Sequence, residues 1–276
     1  MIKRVPVLLF HGLTGAPAEL QSVSRHLRRA GYEVETPMLR GHGVDEKTLL
    51  KTGWRDWMAG AEEELLRLTA DGGQAIVGGL SMGAVLALGL AEKYPDRVKG
   101  VLSLAATLRY DGWVVPGGVW FMPYGRYIPI VNTYRFKERP PYGIKDERLR
   151  ARVEEMMFSG AIKDAGLPFM PGLSLAENLE LVKRVEKDLH KVQAPVFICH
   201  ALEDDITHIR NADRLAQKVS GPVRKLYLED SYHLVTVDRE RSKVAQASLE
   251  FCDDLCRADE QTVSLDAKPA EAEAAA

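Results

Sequence analysis

Cysteine is scarce in this sequence, which has only three, Cys199, Cys252 and Cys256, among 276 residues. An odd number cannot form a complete disulfide framework, and the spacing of Cys252 and Cys256 on a predicted helix matches no metal or redox motif. We therefore expect buried or idle thiols in a reducing compartment, which predicts a cytoplasmic protein without structural disulfides.

Long apolar runs and a strong excess of one charge are also missing. The most apolar stretch, Trp113–Val131, is interrupted by prolines, glycines and Arg126, so it predicts no transmembrane segment. The N-terminus runs straight into a strand-like segment and lacks the pattern of a signal peptide. A formal net charge of −2 without a basic cluster argues against a nucleic-acid partner.

What is present is the alternation typical of an α/β protein. Short runs rich in valine and isoleucine alternate with helical stretches, which predicts a mostly parallel central sheet flanked by helices. The predicted strands are Val5–Phe10, Tyr32–Thr36, Ala75–Gly79, Val98–Ala105, Val196–His200 and Arg224–Leu228. The predicted helices are Pro17–Ala30, Trp54–Ala70, Met82–Tyr94, Ile209–Val219 and Arg239–Arg257.

One interval breaks this rhythm and predicts an insertion. The segment between the strands near Ala106 and Pro195 is far too long for a loop, and its second amphipathic helix repeats apolar residues on one face. We interpret 107–193 as a cap or lid, and 1–106 with 194–258 as the core. The tail 259–276 is low in complexity and is expected to be disordered.

The strongest chemical signal is the pentapeptide Gly79-Leu80-Ser81-Met82-Gly83. It follows a predicted strand and opens a predicted helix, the context of a strained turn that exposes a serine hydroxyl. Residues two before and two after the serine must then be small. This pattern predicts Ser81 as a nucleophile.

A serine hydroxyl needs a base that takes its proton, and this turn implies the chain order serine, acid, histidine. His233 lies on the loop between the last predicted strand and the last helix, whereas the other histidines are better explained as surface or core residues. The acid must follow the strand Val196–His200, where Glu203, Asp204 and Asp205 are adjacent. Spacing alone does not separate these three carboxylates.

The loop after the first strand predicts an oxyanion hole. Such a hole needs one backbone N–H after the nucleophile and one from this loop. Met82 supplies the first by position, and Leu13 is expected to supply the second because Gly12 lets the backbone turn. His11 is expected to brace this loop, and no chemistry is assigned to the Gly41-His42-Gly43 turn.

These motifs, together with the segment Ser231–Asp238, resemble the bacterial carboxylesterase and monoacylglycerol lipase group of α/β-hydrolases. The resemblance covers roughly residues 4–106 and 194–256. In that group the acid lies in a G-x-x-D-x-[VI] segment, which Ala201–Ile206 matches with alanine for the first glycine, so the resemblance favours Asp204 as the acid. It also implies Leu13 and Met82 as oxyanion donors.

The function that follows is hydrolysis of carboxylic esters through an acyl-enzyme on Ser81, without a metal or cofactor. The expected partner is a small, lipid-like ester of short to medium acyl chain, possible monoacylglycerols included, and Trp113, Trp120 and Phe121 are candidates for an acyl pocket. The alternatives are a thioesterase, peptidase or acyltransferase of the same fold, or a protein that binds without catalysis.

Overall fold

The computed structural model describes residues 4–115, 119, 122, 134–159 and 166–266, with only the backbone described beyond residue 258. The six-stranded sheet has the order β2-β1-β3-β4-β7-β8, and every pairing in it is parallel. Its strands are β1 (Val7–Phe10), β2 (Val34–Glu35), β3 (Ala75–Leu80), β4 (Val98–Leu104), β7 (Val196–Ala201) and β8 (Val223–Leu228). A separate antiparallel pair is formed by β5 (Arg135–Lys137) and β6 (Phe169–Pro171).

Helices flank the sheet, as the alternating pattern predicted. They are α1 (Gln21–Arg29), α2 (Glu46–Leu49), α3 (Trp54–Leu68), α4 (Met82–Lys93), α5 (Glu147–Phe158), α6 (Gly172–Asp188), α7 (Arg210–Lys218) and α8 (Arg241–Asp266). Short 3-10 helices lie at Pro17–Leu20 and Leu189–Lys191.

The centre of the fold is built from strands and one helix that are apolar on every side. All residues of β1, β3 and β7 are buried. In α4 the run from Met82 to Ala91 is buried as well, which confirms the prediction drawn from its lack of a polar face. Burial of both faces of the sheet explains why these strands read as continuous apolar runs.

The register of the sheet brings the loops that carry the sequence motifs to one edge. Phe10 pairs with Gly79, and Ala201 with Leu228. Because the strands are parallel, the loops after β1, β3, β7 and β8 all leave from the same edge, where the functional sites of open α/β sheets form.

The predicted insertion does not stand apart from the core over its whole length. The C-terminal half of α6 packs against α3 and α4, and Leu181, Val182 and Val185 join the main hydrophobic core. The cap boundary at residue 193 was therefore wrong for this helix, because its apolar face covers α4. The segments nearer the site are the β5–β6 pair and α5, which Asp146 caps by accepting from the N–H of Leu149.

Two further expectations differ from the structure at element ends. The strand predicted at Tyr32–Thr36 is limited to Val34–Glu35, although Tyr32 is buried beside it. The tail expected to be disordered from residue 259 instead continues helix α8 to Asp266, and 267–276 lie outside the described residues. A helix already docked by buried residues such as Phe251 and Cys252 can extend by local hydrogen bonds alone.

Candidate active site

Ser81 occupies a tight turn between β3 and α4. Its backbone has φ 55° and ψ −113°, in the left-handed region that a non-glycine residue rarely adopts. A Cβ at Gly79 would lie 2.4 Å from the carbonyl oxygen of Phe10, and one at Gly83 only 2.0 Å from the same atom. The expectation that both flanking positions must be small is confirmed, since the turn is pressed against the end of β1.

The Ser81 hydroxyl faces a cavity and is 3.0 Å from the Thr107 hydroxyl. Thr107 is fully buried on the segment after β4. Sequence reasoning did not single it out, because a lone threonine after a strand carries no motif. The nucleophile candidate therefore rests on a neutral hydrogen-bond partner that another group can replace.

His233 and Asp204 form a buried pair at this edge of the sheet. The Nδ1 atom of His233 lies 2.9 Å from Oδ2 and 3.1 Å from Oδ1 of Asp204. Asp204 also accepts from the backbone N–H groups of Ile206 and Thr207. These bonds fix the carboxylate, which orients the imidazole with Nδ1–H toward the acid and leaves Nε2 free to act as a base.

The pair shifts the pKa values of both members. Burial alone would lower the pKa of His233, but the charge of Asp204 and the hydrogen bond to it, aided by Asp205 and Glu19, raise it overall. Burial would raise the pKa of Asp204, yet His233 and the other partners outweigh it and the pKa is lowered. An ionised acid behind an easily protonated imidazole is what a general base requires.

Asp205 has a different task from its neighbour. Its Oδ1 accepts from the backbone N–H of His233 at 3.2 Å, and its Oδ2 accepts from that of Gly143 at 3.0 Å. Burial raises its pKa, against the effect of these bonds. Asp205 thus ties the histidine loop to the segment before α5 and does not contact the ring nitrogen that Asp204 holds.

A second carboxylate reinforces this connection. Asp238 accepts from the backbone N–H groups of Lys145, Asp146 and Tyr232. It lies in the Ser231–Asp238 motif, yet its role depends on a segment nearly a hundred positions away in the chain, which spacing does not reveal.

The loop after β1 presents the second expected oxyanion donor. Gly12 donates its N–H to Glu19 Oε2 at 3.0 Å, and this bond turns the loop so that Leu13 follows at the cavity wall. Among the hydrogen bonds of the described residues, none uses the N–H of Leu13 or of Met82 as donor. Met82 begins α4, where a first-turn N–H has no acceptor within the helix.

His11 braces this loop, as expected. Its Nδ1 lies 2.9 Å from the carbonyl oxygen of Gly12, and its Nε2 accepts from the N–H of Leu39 at 3.1 Å. Burial lowers its pKa to about 3, with a further contribution from His42. A neutral ring with both nitrogens engaged is a structural group.

Glu19 was missed in the sequence because it appears as one acid in a polar helix start. Its carboxyl is buried beside the Ser81 turn, and burial raises its pKa to about 7 against the hydrogen bond from Gly12. A Cβ at Gly15 would lie 2.0 Å from Glu19 Oε1, so the glycine makes room for this carboxyl.

We define the Ser81 cavity by the residues around the candidate triad. They are Gly12, Leu13, Thr14, Gly15, Glu19, Leu80, Ser81, Tyr110, Glu138, Tyr142, Gly143, Val153, Met157, Leu167, Met170, Ile206, His233 and Leu234. A neighbouring Phe136 cavity is lined by Tyr110, Val114, Val115, Val119, Tyr134, Arg135, Phe136, Lys137, Glu138, Arg139, Met170, Leu175 and Ile206. The apolar lining of both cavities suits an acyl chain.

The aromatic residues expected to line an acyl pocket are placed differently. Trp113 is 61% exposed and stacks on Tyr232, and it lines neither of the two cavities. Its Nε1–H reaches the carbonyl of Glu203, so the ring covers the acid loop from outside. Trp120 and Phe121 lie outside the described residues.

Within the described part of the chain, no group of histidine, cysteine and acidic side chains is arranged to hold a metal ion. No described helix is long and apolar enough to cross a membrane. The three cysteines are free and buried.

Comparison with known proteins agrees with this geometry. The family described as serine aminopeptidase, S33, matches residues 3–240. The chain belongs to this family. It is a serine hydrolase of the α/β-hydrolase fold, and the resemblance to that group is confirmed.

Characterised relatives of this serine hydrolase span nearly the same length. The thermostable monoacylglycerol lipase of Bacillus sp. (strain H-257) is 29% identical over 248 residues, which cover 90% of each chain. The carboxylesterase of Bacillus subtilis (strain 168) is 28% identical over 252 residues, covering 90% of this chain and 92% of the relative. The crystal structure of a monoacylglycerol lipase from Paleococcus ferrophilus superposes with a TM-score of 0.75 at 19% identity, covering 91% of this chain and 96% of the other.

Proposed function

We propose that the protein is a serine esterase that hydrolyses carboxylic esters of short to medium acyl chain, monoacylglycerols among them. The observation that carries the proposal is the buried Asp204–His233 pair, which lines one cavity with Ser81. The names of the two Bacillus relatives support an ester as the substrate.

In the proposed mechanism, the Ser81 hydroxyl exchanges its bond to Thr107 for one to Nε2 of His233. As Ser81 attacks the ester carbonyl, His233 takes its proton and Asp204 stabilises the imidazolium that forms. The N–H groups of Leu13 and Met82 bind the developing oxyanion. Such a donor contributes about 3 kcal/mol to lowering the barrier.

Collapse of this intermediate breaks the bond to the alcohol oxygen, which receives the proton from His233, and leaves an acyl group on Ser81. Water then attacks the acyl-enzyme with His233 again as base, which releases the acid and restores the serine. The segment formed by β5, β6 and α5 provides the cap of this site in our proposal, because Val153, Met157 and Met170 close the cavity.

The decisive experiment measures a p-nitrophenyl ester burst in the wild-type enzyme and maps a fluorophosphonate label by peptide mass spectrometry. We expect a burst stoichiometric with enzyme and the label on Ser81. Matched thioesters and aminoacyl amides of the same acyl length should turn over more slowly than the ester. The proposal fails if no ester is cleaved and Ser81 is not labelled.

Glu19 leads to a prediction about pH dependence. His233 must be neutral to act as a base, so kcat/KM falls as the pH drops through its raised pKa. Since the charge of Glu19 helps to raise that pKa, Glu19→Gln should lower it and move the acid limb to lower pH. Gln still accepts from Gly12, whereas Glu19→Ala removes the acceptor and should reduce kcat about tenfold.

Full pH–rate profiles of both variants check this expectation. Glu147→Gln is the matched control because its side chain is 82% exposed on α5 and does not line the Ser81 cavity. An acid limb that stays in place in Glu19→Gln would show that Glu19 does not act on His233.

A further inference from the structure

The wall between the Ser81 cavity and the Phe136 cavity contains a carboxyl group that the proposed mechanism does not use. Tyr110, Glu138, Met170 and Ile206 line both cavities, and Glu138 is the charged member of this set. Glu138 directly follows β5, and its backbone N–H donates to the carbonyl of Pro168. The side chain is thus anchored at its base and faces space that a substrate would fill.

Among the described residues, the Glu138 carboxyl has no hydrogen-bond or ion-pair partner, in contrast to the acids around it. Asp205 accepts two backbone N–H bonds, Glu19 accepts one, and Glu154 accepts from the hydroxyl of Tyr142. A buried carboxyl without a partner is costly. A ligand that supplies the missing hydrogen bond recovers this cost, so the group is placed to recognise substrate.

The charge of the Ser81 cavity restricts what that ligand can be. Its lining includes the carboxyls of Glu19 and Glu138 but no lysine or arginine among the described residues. The basic side chains nearby, Arg135, Lys137 and Arg139, are exposed and line only the Phe136 cavity. An anionic group next to the scissile ester would therefore meet like charge without a counterion.

The protonation of Glu138 favours a hydroxyl over a cation as its partner. Burial raises its pKa to about 7, with Asp205 adding to the rise and His233 opposing it. Near neutral pH the carboxyl thus exists both as a hydrogen-bond donor and as an acceptor. A hydroxyl group fits either form, whereas an ammonium group needs the ionised one.

We propose that Glu138 hydrogen-bonds a free hydroxyl of the substrate's alcohol part, so that the site selects uncharged polyol esters over esters of simple alkanols. This inference rests on the proposed esterase function and names its substrate class. Glu138 is then a specificity-determining residue, whereas Ser81, His233 and Asp204 perform the chemistry for any ester that enters.

The test uses two esters that share an acyl chain and differ only in free hydroxyls, 1-octanoylglycerol and propyl octanoate. In the wild type, we expect the higher kcat/KM for octanoylglycerol. Glu138→Leu should lower the ratio of the two kcat/KM values about tenfold, chiefly through the KM of octanoylglycerol, which is the value of one hydrogen bond. Glu138→Gln, which can donate and accept, should restore most of that ratio.

Glu147→Gln is the control and should leave the ratio unchanged, and circular dichroism establishes that each variant is folded. If the wild type cleaves both esters but the ratio is the same in all variants, this inference is overturned and the esterase function stands. If the wild type cleaves neither ester, the proposed function fails and the inference with it.

Two charged esters complete the design. Octanoylcholine carries a cation and 1-octanoylglycerol 3-phosphate an anion, each with the same acyl chain. We expect both to be poorer substrates than octanoylglycerol. A preference for octanoylcholine that disappears in Glu138→Gln would identify a cation site instead, and a preference for the phosphate would place the exposed basic residues in control; either result overturns the proposal.

Discussion

His233→Ala is expected to lower kcat by about 10⁶-fold while the protein remains folded. His233 Nδ1 is held by Asp204, and its ring is 6% exposed in the cavity that contains Ser81. Without the imidazole no group in the proposed mechanism takes the serine proton. Binding of the ester in the apolar cavity does not depend on that proton, so KM should change far less than kcat.

The measurement is single-turnover hydrolysis of a p-nitrophenyl ester with Ser81→Ala and the double variant beside it. Because the two side chains act as one unit, the double variant should be no slower than either single variant. Glu147→Gln again serves as the control for handling. A loss of only tenfold in His233→Ala would mean that another residue is the base.

Asp204→Asn should lower kcat about 10⁴-fold, through the tautomer that it imposes on the imidazole. Asparagine can donate to Nδ1, which turns the proton-bearing nitrogen toward Ser81 and leaves no base there. The histidines that could replace the function are engaged elsewhere: Nε2 of His200 lies 2.9 Å from the carbonyl of Thr207. We therefore expect little rescue by a neighbouring residue.

Asp205→Asn is the matched comparison, since it changes the adjacent carboxyl in the same way. Asparagine retains one carbonyl acceptor, so one of the backbone bonds to His233 and Gly143 is weakened. Loss of one such bond corresponds to about tenfold in rate when the histidine loop shifts. If Asp205→Asn is slower than Asp204→Asn, the assignment of the acid moves by one residue.

The connection between the histidine loop and the segment before α5 distinguishes this site from three isolated side chains. Asp205 and Asp238 together accept backbone N–H groups from Gly143, Lys145 and Asp146. These buried, charge-assisted bonds hold residues that line the cavity in register with His233. The substrate-binding wall and the proposed base therefore move as one unit.

Sequence alone determined the class of fold and the location of the nucleophile. Short apolar strands alternating with helices predicted the parallel sheet, and Gly79 and Gly83 around Ser81 predicted the tight turn, because both are local patterns with a direct steric cause. The order of Ser81 and His233 followed from the same turn.

Tertiary structure decided what depends on side-chain direction and on distant contacts. Adjacent residues Asp204 and Asp205 are equivalent in spacing, and only the fold points one at the imidazole and the other at the backbone. Glu138 acquires meaning only where β5 meets the cavity wall. Chain position specifies which residues leave the same edge of the sheet, whereas burial and hydrogen bonding across that edge set the task of each carboxyl.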